Sequence, residues 1–555
     1  MYKRIFIYTS LVLLFFANCA KDQVETEIKS LNRGDISTAQ KLLGLQFSRS
    51  EIDSMIEDLN DNLASYHHLR QWQVSNAVSP ALHFRPLLPP GSEIMTVEKS
   101  YPIKPPKAIR PENIEAMAFY TIPELGHLLR SGQITSLELT QMYLARLKRY
   151  DPKLHCVITL TEELALEQAR RADAELAAGI DRGPLHGIPY GAKDLLAKKG
   201  YKTTWGAMPY KDQIIPEDAT VIRKLEEAGA VLVAKLTLGA LAWGDVWFGE
   251  QTRNPWNPVQ GSSGSSAGSA SAVAAGLVGF AIGTETWGSI VSPCTRCGAT
   301  GLRPTFGLVG RSGAMALSWS MDKIGPICRC IEDCALVLEA IAGPDPGDPG
   351  SIGKYFRYNP DLTLERLRIG YLPAEFANPD ISGSNDSTTL EVLREMGITL
   401  IPLELPDFPY QDLAFILSAE AAAAFEELTL SGRDSLLVRQ VRNAWPNVFR
   451  ASRFIPAVEY IQANRRRSLL MEAMQQMMSD IDVYIAPSFS DNLLLTNLTG
   501  HPCIVMPNGF NAAGSPTSIS FIGHPLGENK VIALARAYQQ ATQWTEQQPP
   551  EFRVE

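Results

Sequence analysis

The chain has 555 residues, of which 45% are hydrophobic and 20% charged, and its formal net charge is -9 at pH 7. This length and apolar content allow a large buried core and exclude an intrinsically disordered chain. The negative net charge argues against a nucleic acid as partner, because phosphate backbones attract basic surfaces.

The N-terminus has the pattern of an export signal. Lys3 and Arg4 precede an apolar run, residues 5–17, that is too short to span a bilayer. Cys19 follows, and the arrangement resembles a bacterial lipoprotein signal in which residues 1–18 are removed and Cys19 is lipidated. We therefore predict a protein of the bacterial cell envelope, periplasmic or in the outer membrane, held to the membrane by its N-terminal lipid. An ordinary secretory signal with Cys19 nearby is the alternative.

Beyond the signal, apolar spacing and proline content divide the chain into four further segments. They are a helical N-terminal region of three or so short helices (19–83), a Pro-rich linker (84–112), a main domain (113–542) and a C-terminal tail (543–555). In the main domain, short apolar runs alternate with helical patterns. This alternation predicts an α/β domain with a mixed central sheet.

Residues 409–470 read as a helical insertion in the main domain. The pattern predicts helices at 410–429, 435–444 and 457–478, and we interpret them as a lid or a wall of a substrate channel. The basic run Arg465-Arg466-Arg467 lies in the last of these helices, where it predicts a solvated or salt-bridged face.

The stretch from 261 to 304 carries the strongest chemical signal. A Gly/Ser loop (261–269) leads into a run of small residues, an apolar strand (278–282) and a second Gly/Ser-containing loop (283–289). Glycine lets backbone approach closely, and clustered N–H groups beside a serine can form an oxyanion hole. Two such loops can bring two hydroxyl groups and several bare amides to one place.

At these residues the chain resembles the amidase signature family. The matching segments are Ser265-Ser266-Ala267-Gly268-Ser269, Gly283-Thr284-Glu285-Thr286-Trp287-Gly288-Ser289-Ile290 and Gly301-Leu302-Arg303-Pro304-Thr305. The resemblance implies a mixed central sheet covered by helices on both faces. It also implies an amidohydrolase of the EC 3.5.1 type that cleaves the C–N bond of a small-molecule carboxylic amide, without a cofactor or a metal.

The resemblance further implies a Ser–Ser–Lys triad. Ser289 would be the nucleophile that carries the acyl group, Ser265 the proton relay and Lys193 the general base. The pKa of a lysine must fall by about three from about 10.4 for it to act as a base near neutral pH, which costs about 4 kcal/mol and requires burial. The expected oxyanion donors are the backbone N–H groups of Thr286, Trp287, Gly288 and Ser289.

Three details of the resemblance concern the two loops. The family's bridging serine follows a cis peptide bond, which here would join Gly264 to Ser265. Trp287 stands where the family more often has glycine, so its ring is expected to narrow or roof the site. Glu285 replaces a common aspartate and keeps the charge. Outside the two loops, the segment from Asn497 to Pro502 resembles a late segment of the family and is expected to pack near the site.

Cysteine chemistry offers one alternative. Seven cysteines remain besides Cys19, and the spacing of Cys294, Cys297, Cys328 and Cys330 could suggest zinc. We favour buried thiols over a metal, because Cys297 falls where the resembled family has an ordinary buried residue.

Four other functions remain as alternatives. An α/β-hydrolase would use Ser266 as nucleophile, and a penicillin-binding type of enzyme would use the segment from Ser320 to Lys323. The amide-splitting component of a tRNA amidotransferase would share the main domain, although the export signal argues against it. A catalytically inactive, lipid-anchored binding protein is opposed by the suitable residues at all three triad positions.

Overall fold

The structure is a computed structural model that describes residues 30–72, 82 and 107–554. The predicted signal at 1–18, Cys19 and most of the predicted linker at 84–112 lie outside the described residues. The boundaries of these segments therefore stay predictions. Within the described residues, no helix is both long enough and apolar enough to cross a membrane.

The described residues contain seventeen α-helices. They are α1 Arg33–Leu42, α2 Arg49–Gln71, α3 Ile122–Arg130, α4 Ser136–Leu154, α5 Glu162–Ala177, α6 Thr220–Glu227, α7 Ala267–Ala274, α8 Val291–Cys297, α9 Ile331–Ile341, α10 Pro373–Ala377, α11 Ser384–Glu395, α12 Phe415–Ala424, α13 Glu426–Leu430, α14 Trp445–Ser452, α15 Ala457–Met477, α16 Asn492–Thr499 and α17 Glu528–Thr542.

The strands in the described part of the chain number thirteen. They are β1 Val157–Leu160, β2 Pro189–Lys193, β3 Val231–Leu236, β4 Arg253–Asn254, β5 Asn257–Gly261, β6 Phe280–Glu285, β7 Thr300–Arg303, β8 Lys323–Cys328, β9 Ile369–Tyr371, β10 Leu400–Pro402, β11 Val483–Pro487, β12 Cys503–Phe510 and β13 Pro516–Gly523.

Eleven of these strands form one mixed sheet, which confirms the predicted α/β class. Their order is β1-β3-β2-β6-β8-β7-β12-β13-β11-β9-β10, and β4 pairs with β5 in a separate small sheet. In the centre of the large sheet, β2 lies between β3 and β6 and runs parallel to both. The carboxyl ends of these parallel strands therefore meet at one edge of the sheet.

The sheet separates two hydrophobic cores. Leu232 and Phe280 belong to one core, whereas Val233 and Ala281, the residues that follow them, belong to the other. This alternation follows from the two-residue period of a strand. In the first core the ring of Tyr190 stacks on that of Phe280 at 5.1 Å. Helices complete both cores, as the resemblance implies.

Two predictions about helices were wrong in detail. In the N-terminal region the described residues contain two helices, α1 and α2, which begin with side-chain capping boxes at Asn32 and Ser48, and the predicted number of three or so stays a prediction because parts of 19–83 lie outside the described residues. The helix predicted at 410–429 is interrupted, with a 3-10 turn before α12 and a break at Phe425 before α13.

The helix predicted at 435–444 is absent from the described chain. A 3-10 turn, Arg433–Leu436, stands there instead, and α14 begins only at Trp445. The β-branched residues Val438 and Val441 disfavour a helix in this stretch, and Pro446 favours a helix start in the first turn of α14.

The predicted solvated or salt-bridged face at 465–467 was also wrong for two of its three arginines. Arg466 and Arg467 are buried. Arg467 donates hydrogen bonds to the carbonyl oxygen of Leu498 and to both the hydroxyl and the carbonyl oxygen of Ser320. These buried charges tie α15 to α16 and to the loop before β8, where acceptors replace the water that the sequence pattern suggested.

Candidate active site

The sheet edge and two loops bring the predicted triad into one region. Lys193 is the last residue of β2, and the neighbouring strand β6 ends at Glu285. Ser265 comes just before α7, and Ser289 comes just before α8. The peptide bond between Gly264 and Ser265 is cis, as the resemblance implies. A Cβ on Gly264 would overlap the carbonyl oxygen of Gly244, so only glycine fits there.

Lys193 is fully buried among hydroxyl groups. Its Nζ lies 2.8 Å from the Oγ of Ser265, 2.8 Å from the Oγ1 of Thr284 and 3.1 Å from the Oγ of Ser266. Burial lowers the pKa of Lys193 well below its ordinary value, although the carboxylates of Asp322 and Glu285 act in the opposite direction. The site therefore favours a neutral amine.

Ser266 acts as a structural bridge in this site. Its Oγ donates to the carbonyl oxygen of Thr284 at 3.0 Å and accepts from the N–H of Thr284 at 3.1 Å. Ser266 is also fully buried. A hydroxyl that is buried and held in this way cannot meet a substrate, which opposes the α/β-hydrolase alternative.

Asp194, which follows Lys193, fixes the end of β2. Its carboxylate accepts from the Nζ of Lys235 at 2.7 Å and from the N–H and hydroxyl of Thr204 at 2.8 and 2.5 Å. All three residues are buried. A buried carboxylate needs such partners, and together they limit the movement of the neighbouring Lys193.

The second loop lines a cavity with residues 286–289. Among the residues that the structure describes, none accepts a hydrogen bond from the N–H of Trp287, Gly288 or Ser289. Gly288 has a φ of +80°, which favours glycine, whereas Trp287 does not need the left-handed region. Trp287 is 43% exposed and lines the cavity, in keeping with the predicted roof.

One expected contact is not formed. Ser289 is half-buried, and within the described chain its Oγ makes no hydrogen bond. The hydrogen bond from Lys193 to Ser265 is therefore formed, but the expected one between Ser265 and Ser289 is not. Ser289 and the neighbouring Gly264 do line the same cavity. Catalytic hydrogen bonds are often long until a substrate tightens the site, which accounts for the difference physically.

A buried ion pair supports the second loop from below. The carboxylate of Glu285 accepts from the Arg303 guanidinium at 2.7 Å, from Asn497 Nδ2 at 2.9 Å, and from the N–H groups of Ile290 and Val291 at 2.8 and 2.9 Å. Burial alone would raise the pKa of Glu285, but Arg303 and these hydrogen bonds outweigh it and hold the pKa at about 2. The expected packing of the Asn497 segment near the site is thereby confirmed.

Asp322 holds the same loop from its other end. Its carboxylate accepts from the Thr286 hydroxyl at 2.6 Å and from the N–H groups of Leu317 and Ser318 at 2.8 and 2.9 Å. Sequence reasoning named Asp322 only as part of the penicillin-binding alternative. Its contact with Thr286 spans 36 residues, and no local pattern announces it.

A cavity of about 580 Å³ opens in front of the second loop. This volume is within the range of small-molecule sites. Much of its wall is aromatic or aliphatic, and residues from the 409–470 region contribute, as the channel-wall interpretation predicts. The apolar members include Trp243, Trp287, Phe415, Trp445, Phe489 and Leu493.

The cysteines take no part in this cavity. All seven described cysteines are buried and form no disulfide among themselves, and the described residues include no cluster of three or more side chains suited to a metal. Burial raises the pKa of Cys294, Cys297, Cys328 and Cys330, which keeps these thiols protonated.

Known proteins share this fold and these segments. The Amidase family matches residues 138–494. The A-type subunit of glutamyl-tRNA(Gln) amidotransferase from Geobacter metallireducens is 34% identical over 476 residues, which are 76% of this chain and 97% of that protein. Its counterpart from Roseiflexus castenholzii is 35% identical over 480 residues, with shares of 77% and 97%.

Solved structures agree with this relationship. The native peptide amidase from Stenotrophomonas maltophilia has a TM-score of 0.69 at 30% identity, covering 79% of this chain and 100% of that one. The fold and the matched segments define an enzyme that acts on amide bonds. The chain belongs to the amidase family.

The Glu285 network predicts a specific pH dependence. A carboxyl whose folded pKa is about 2 and whose ordinary pKa is 4.5 stabilises the fold above about pH 4.5, and this contribution is lost as the pH falls through about 2. We expect Glu285→Gln to lower the free energy of unfolding at pH 7 by about 3 kcal/mol, with the difference from wild type shrinking as the pH falls from 5 toward 2.

Urea unfolding at several pH values measures this effect. The control is Glu404→Gln, at an exposed position, which is expected to change the free energy of unfolding by less than about 0.5 kcal/mol at every pH. A Glu285→Gln deficit that is as large at pH 3 as at pH 7 would contradict the assigned pKa.

Proposed function

We propose that the protein is an amidohydrolase that cleaves the C–N bond of a small or medium-sized carboxylic amide through an acyl-enzyme on Ser289. Ser265 relays the proton and Lys193 is the general base. The observation that carries the proposal is the buried Lys193 amine, 2.8 Å from the Ser265 hydroxyl, with its pKa lowered by burial. A lysine in this state can accept a proton near neutral pH.

The arrangement around Lys193 suits a proton relay. A neutral amine has two hydrogens and one lone pair. The hydroxyl of Thr284, its carbonyl oxygen and the Oγ of Ser266 can accept the hydrogens. The lone pair is then left for the hydroxyl proton of Ser265.

The proposed reaction has two halves. As the Ser289 Oγ bonds to the amide carbon, its proton passes to Ser265, whose own proton passes to Lys193. The C–N bond then breaks, and the leaving nitrogen receives a proton back along the same row. In the second half, water attacks the Ser289 ester, gives up its proton by the same route, and releases the carboxylic acid with Ser289 restored.

The second loop would stabilise the oxyanion that forms in both halves. The amides from Thr286 to Ser289 are the donors, and one such donor is worth about 2.7–4 kcal/mol of barrier. Glu285 and Asp322 hold this loop by its two ends through the contacts described above. The donors would thus be in place before the charge develops.

A second candidate is the amide-splitting role within a tRNA amidotransferase. The identity of 34–35% to A-type subunits of that enzyme, over 97% of their length, supports it. Both candidates split an amide at Ser289 and release the acyl group with water, and they differ in whether the ammonia leaves free or passes to a second substrate. The predicted export signal at 1–18 favours the hydrolase.

Substitution of the triad tests the chemistry. We expect Ser289→Ala and Lys193→Met each to lower kcat by at least about 1,000-fold in a screen of simple amides, because each step needs both groups. Ser289→Ala should also abolish labelling by a fluorophosphonate, which the wild type should accept. Activity retained in either variant, or labelling that persists in Ser289→Ala, would contradict the assignment. A wild type that neither cleaves an amide nor accepts the label would favour the inactive binding protein.

Lys193→Met carries its own control for folding. An unfolded lysine is protonated at pH 7, so folding must remove that proton. This deprotonation lowers the free energy of unfolding at pH 7, and the effect vanishes above about pH 10.4, where the unfolded lysine is already neutral. Lys193→Met should therefore be at least as stable as wild type at pH 7, and its advantage should shrink as the pH rises toward 10. An inactive variant with a lowered Tm at pH 7 would point to misfolding instead.

Co-purification separates the two candidates. The full chain, expressed with an affinity tag in its native host, is expected to purify without a stoichiometric partner protein or tRNA and to release a free acid from amides on its own. Recovery of a tRNA-binding partner, together with amide cleavage that depends on it, would favour the amidotransferase.

We also propose that the protein is exported and lipid-anchored through Cys19. Metabolic labelling with a radioactive fatty acid is expected to mark the wild type, and Cys19→Ala should lose the label and leave the membrane fraction. Cys156→Ala, at a buried cysteine, is the matched control and should keep both. Equal labelling of wild type and Cys19→Ala would contradict the anchor.

A further inference from the structure

Helix α2 of the N-terminal region lines the proposed catalytic cavity. Asp61, Asn62 and Ser65 belong to the wall that also includes Trp287 and Ser289. The family match begins only at residue 138, so these three residues lie outside it. The site therefore includes a wall that the family's own matched segment does not supply.

Ion pairs fix α2 to the 409–470 region, at Arg442 just before α14 and at Arg450 within it. Arg442 pairs with the carboxylates of Glu57, Asp58 and Asp61 at 2.6, 2.8 and 3.0 Å, and Arg450 pairs with Glu51 at 3.1 Å. Each exposed pair is weak, but several around one arginine form a network. Such anchoring gives the wall a defined position.

Aromatic packing adds to this attachment. The buried Tyr66 ring meets Phe415 edge to face at 5.2 Å, and Phe415 itself lines the cavity. Trp72 and Phe408 pack at 5.0 Å at the end of the same helix. The rings fix which side of α2 faces the cavity.

The polar side chains on this wall are available to a ligand. Within the described chain, neither Asn62 nor Ser65 has a hydrogen-bond partner for its side chain, and both are only partly exposed. Asn62 and Ser65 can each donate and accept hydrogen bonds. Their neighbours across the cavity are largely apolar, including Phe415 and Trp445.

We propose that α2 is a specificity element, in which Asn62 and Ser65 hydrogen-bond the part of the substrate beyond the scissile amide. This inference rests on the proposed amide hydrolysis at Ser289. The cavity then prefers amides that join an apolar group to peptide-like N–H and C=O groups, and it discriminates against simple amides. Peptide amides with an aromatic side chain belong to this class.

A bulky substitution on α2 tests the specificity. Phenylalanine amide and glycyl-glycyl-phenylalanine amide serve as the short and long substrates, with ammonia release as the measurement. We expect wild type to favour the long amide in kcat/KM by about tenfold or more, and Asn62→Phe to remove most of that preference. Ala64→Phe, at an exposed position of α2 outside the cavity, is the control and should keep it.

The outcomes separate this inference from the proposed function. Cleavage of simple amides without preference for the long amide, or an equal preference in wild type and Asn62→Phe, overturns the specificity role and leaves the hydrolase intact. Failure to cleave any amide counts against the proposed function. Whether α2 contacts the bound amide is then tested by a measurement that needs no turnover.

Thiol protection supplies that measurement. Ser65→Cys and, as control, Ala64→Cys are made in the Ser289→Ala, Cys19→Ala background, where the described cysteines are all buried. Glycyl-glycyl-phenylalanine amide at about ten times its Kd is expected to slow maleimide labelling about tenfold at position 65 and to leave position 64 unchanged. Equal rates with and without the amide at position 65 overturn the inference.

Discussion

The structure depends on one constraint, the complete burial of the Lys193 amine away from solvent. Removing Lys193 from solvent opposes its charged form, and the carboxylates of Asp322 and Glu285 act on it only through space. Both acids are committed to other partners, so neither forms an ion pair with the amine. The hydroxyls of Ser265, Ser266 and Thr284 surround it instead. A direct carboxylate contact would restore the charge and remove the base.

The same two acids hold the loop that carries Ser289. Glu285 binds the start of α8 and Arg303, while Asp322 binds Thr286. Asp322 in turn lies in a loop whose Ser318 and Ser320 hydroxyls donate to Glu420 of α12. The helical region over the cavity and the loop behind it are therefore parts of one buried polar network, in which every contact is charge-assisted.

The sequence predicted much of the sheet and only part of the site. Apolar runs that alternate with helical patterns predicted the mixed sheet, because such runs are a local signal, and the resemblance placed Lys193 beside Ser265. Arg467 was misread because a charged residue looks solvated in a sequence and its partner Leu498 lies 31 residues away, and the contact of Asp322 with Thr286 was missed because it spans 36 residues. Ser266 and Thr284 were not predicted as partners of the Lys193 amine, because they lie 73 and 91 residues from it along the chain.

Helix α2 shows most clearly what could not be predicted from the sequence. Its apolar spacing predicted a helix, but a helix can place its polar residues against water or against a cavity with the same pattern. Arg442 helps to fix the orientation of α2, because it binds three carboxylates of that helix. It lies 381 residues from Asp61, so no local pattern shows the contact. The family segment contains Lys193, Ser265 and Ser289 together with most of the cavity wall, while α2, which lies outside that segment, adds the rest of the wall. The cavity is therefore assembled from two parts of the chain, and a substitution on α2 can change its shape without touching Lys193, Ser265 or Ser289.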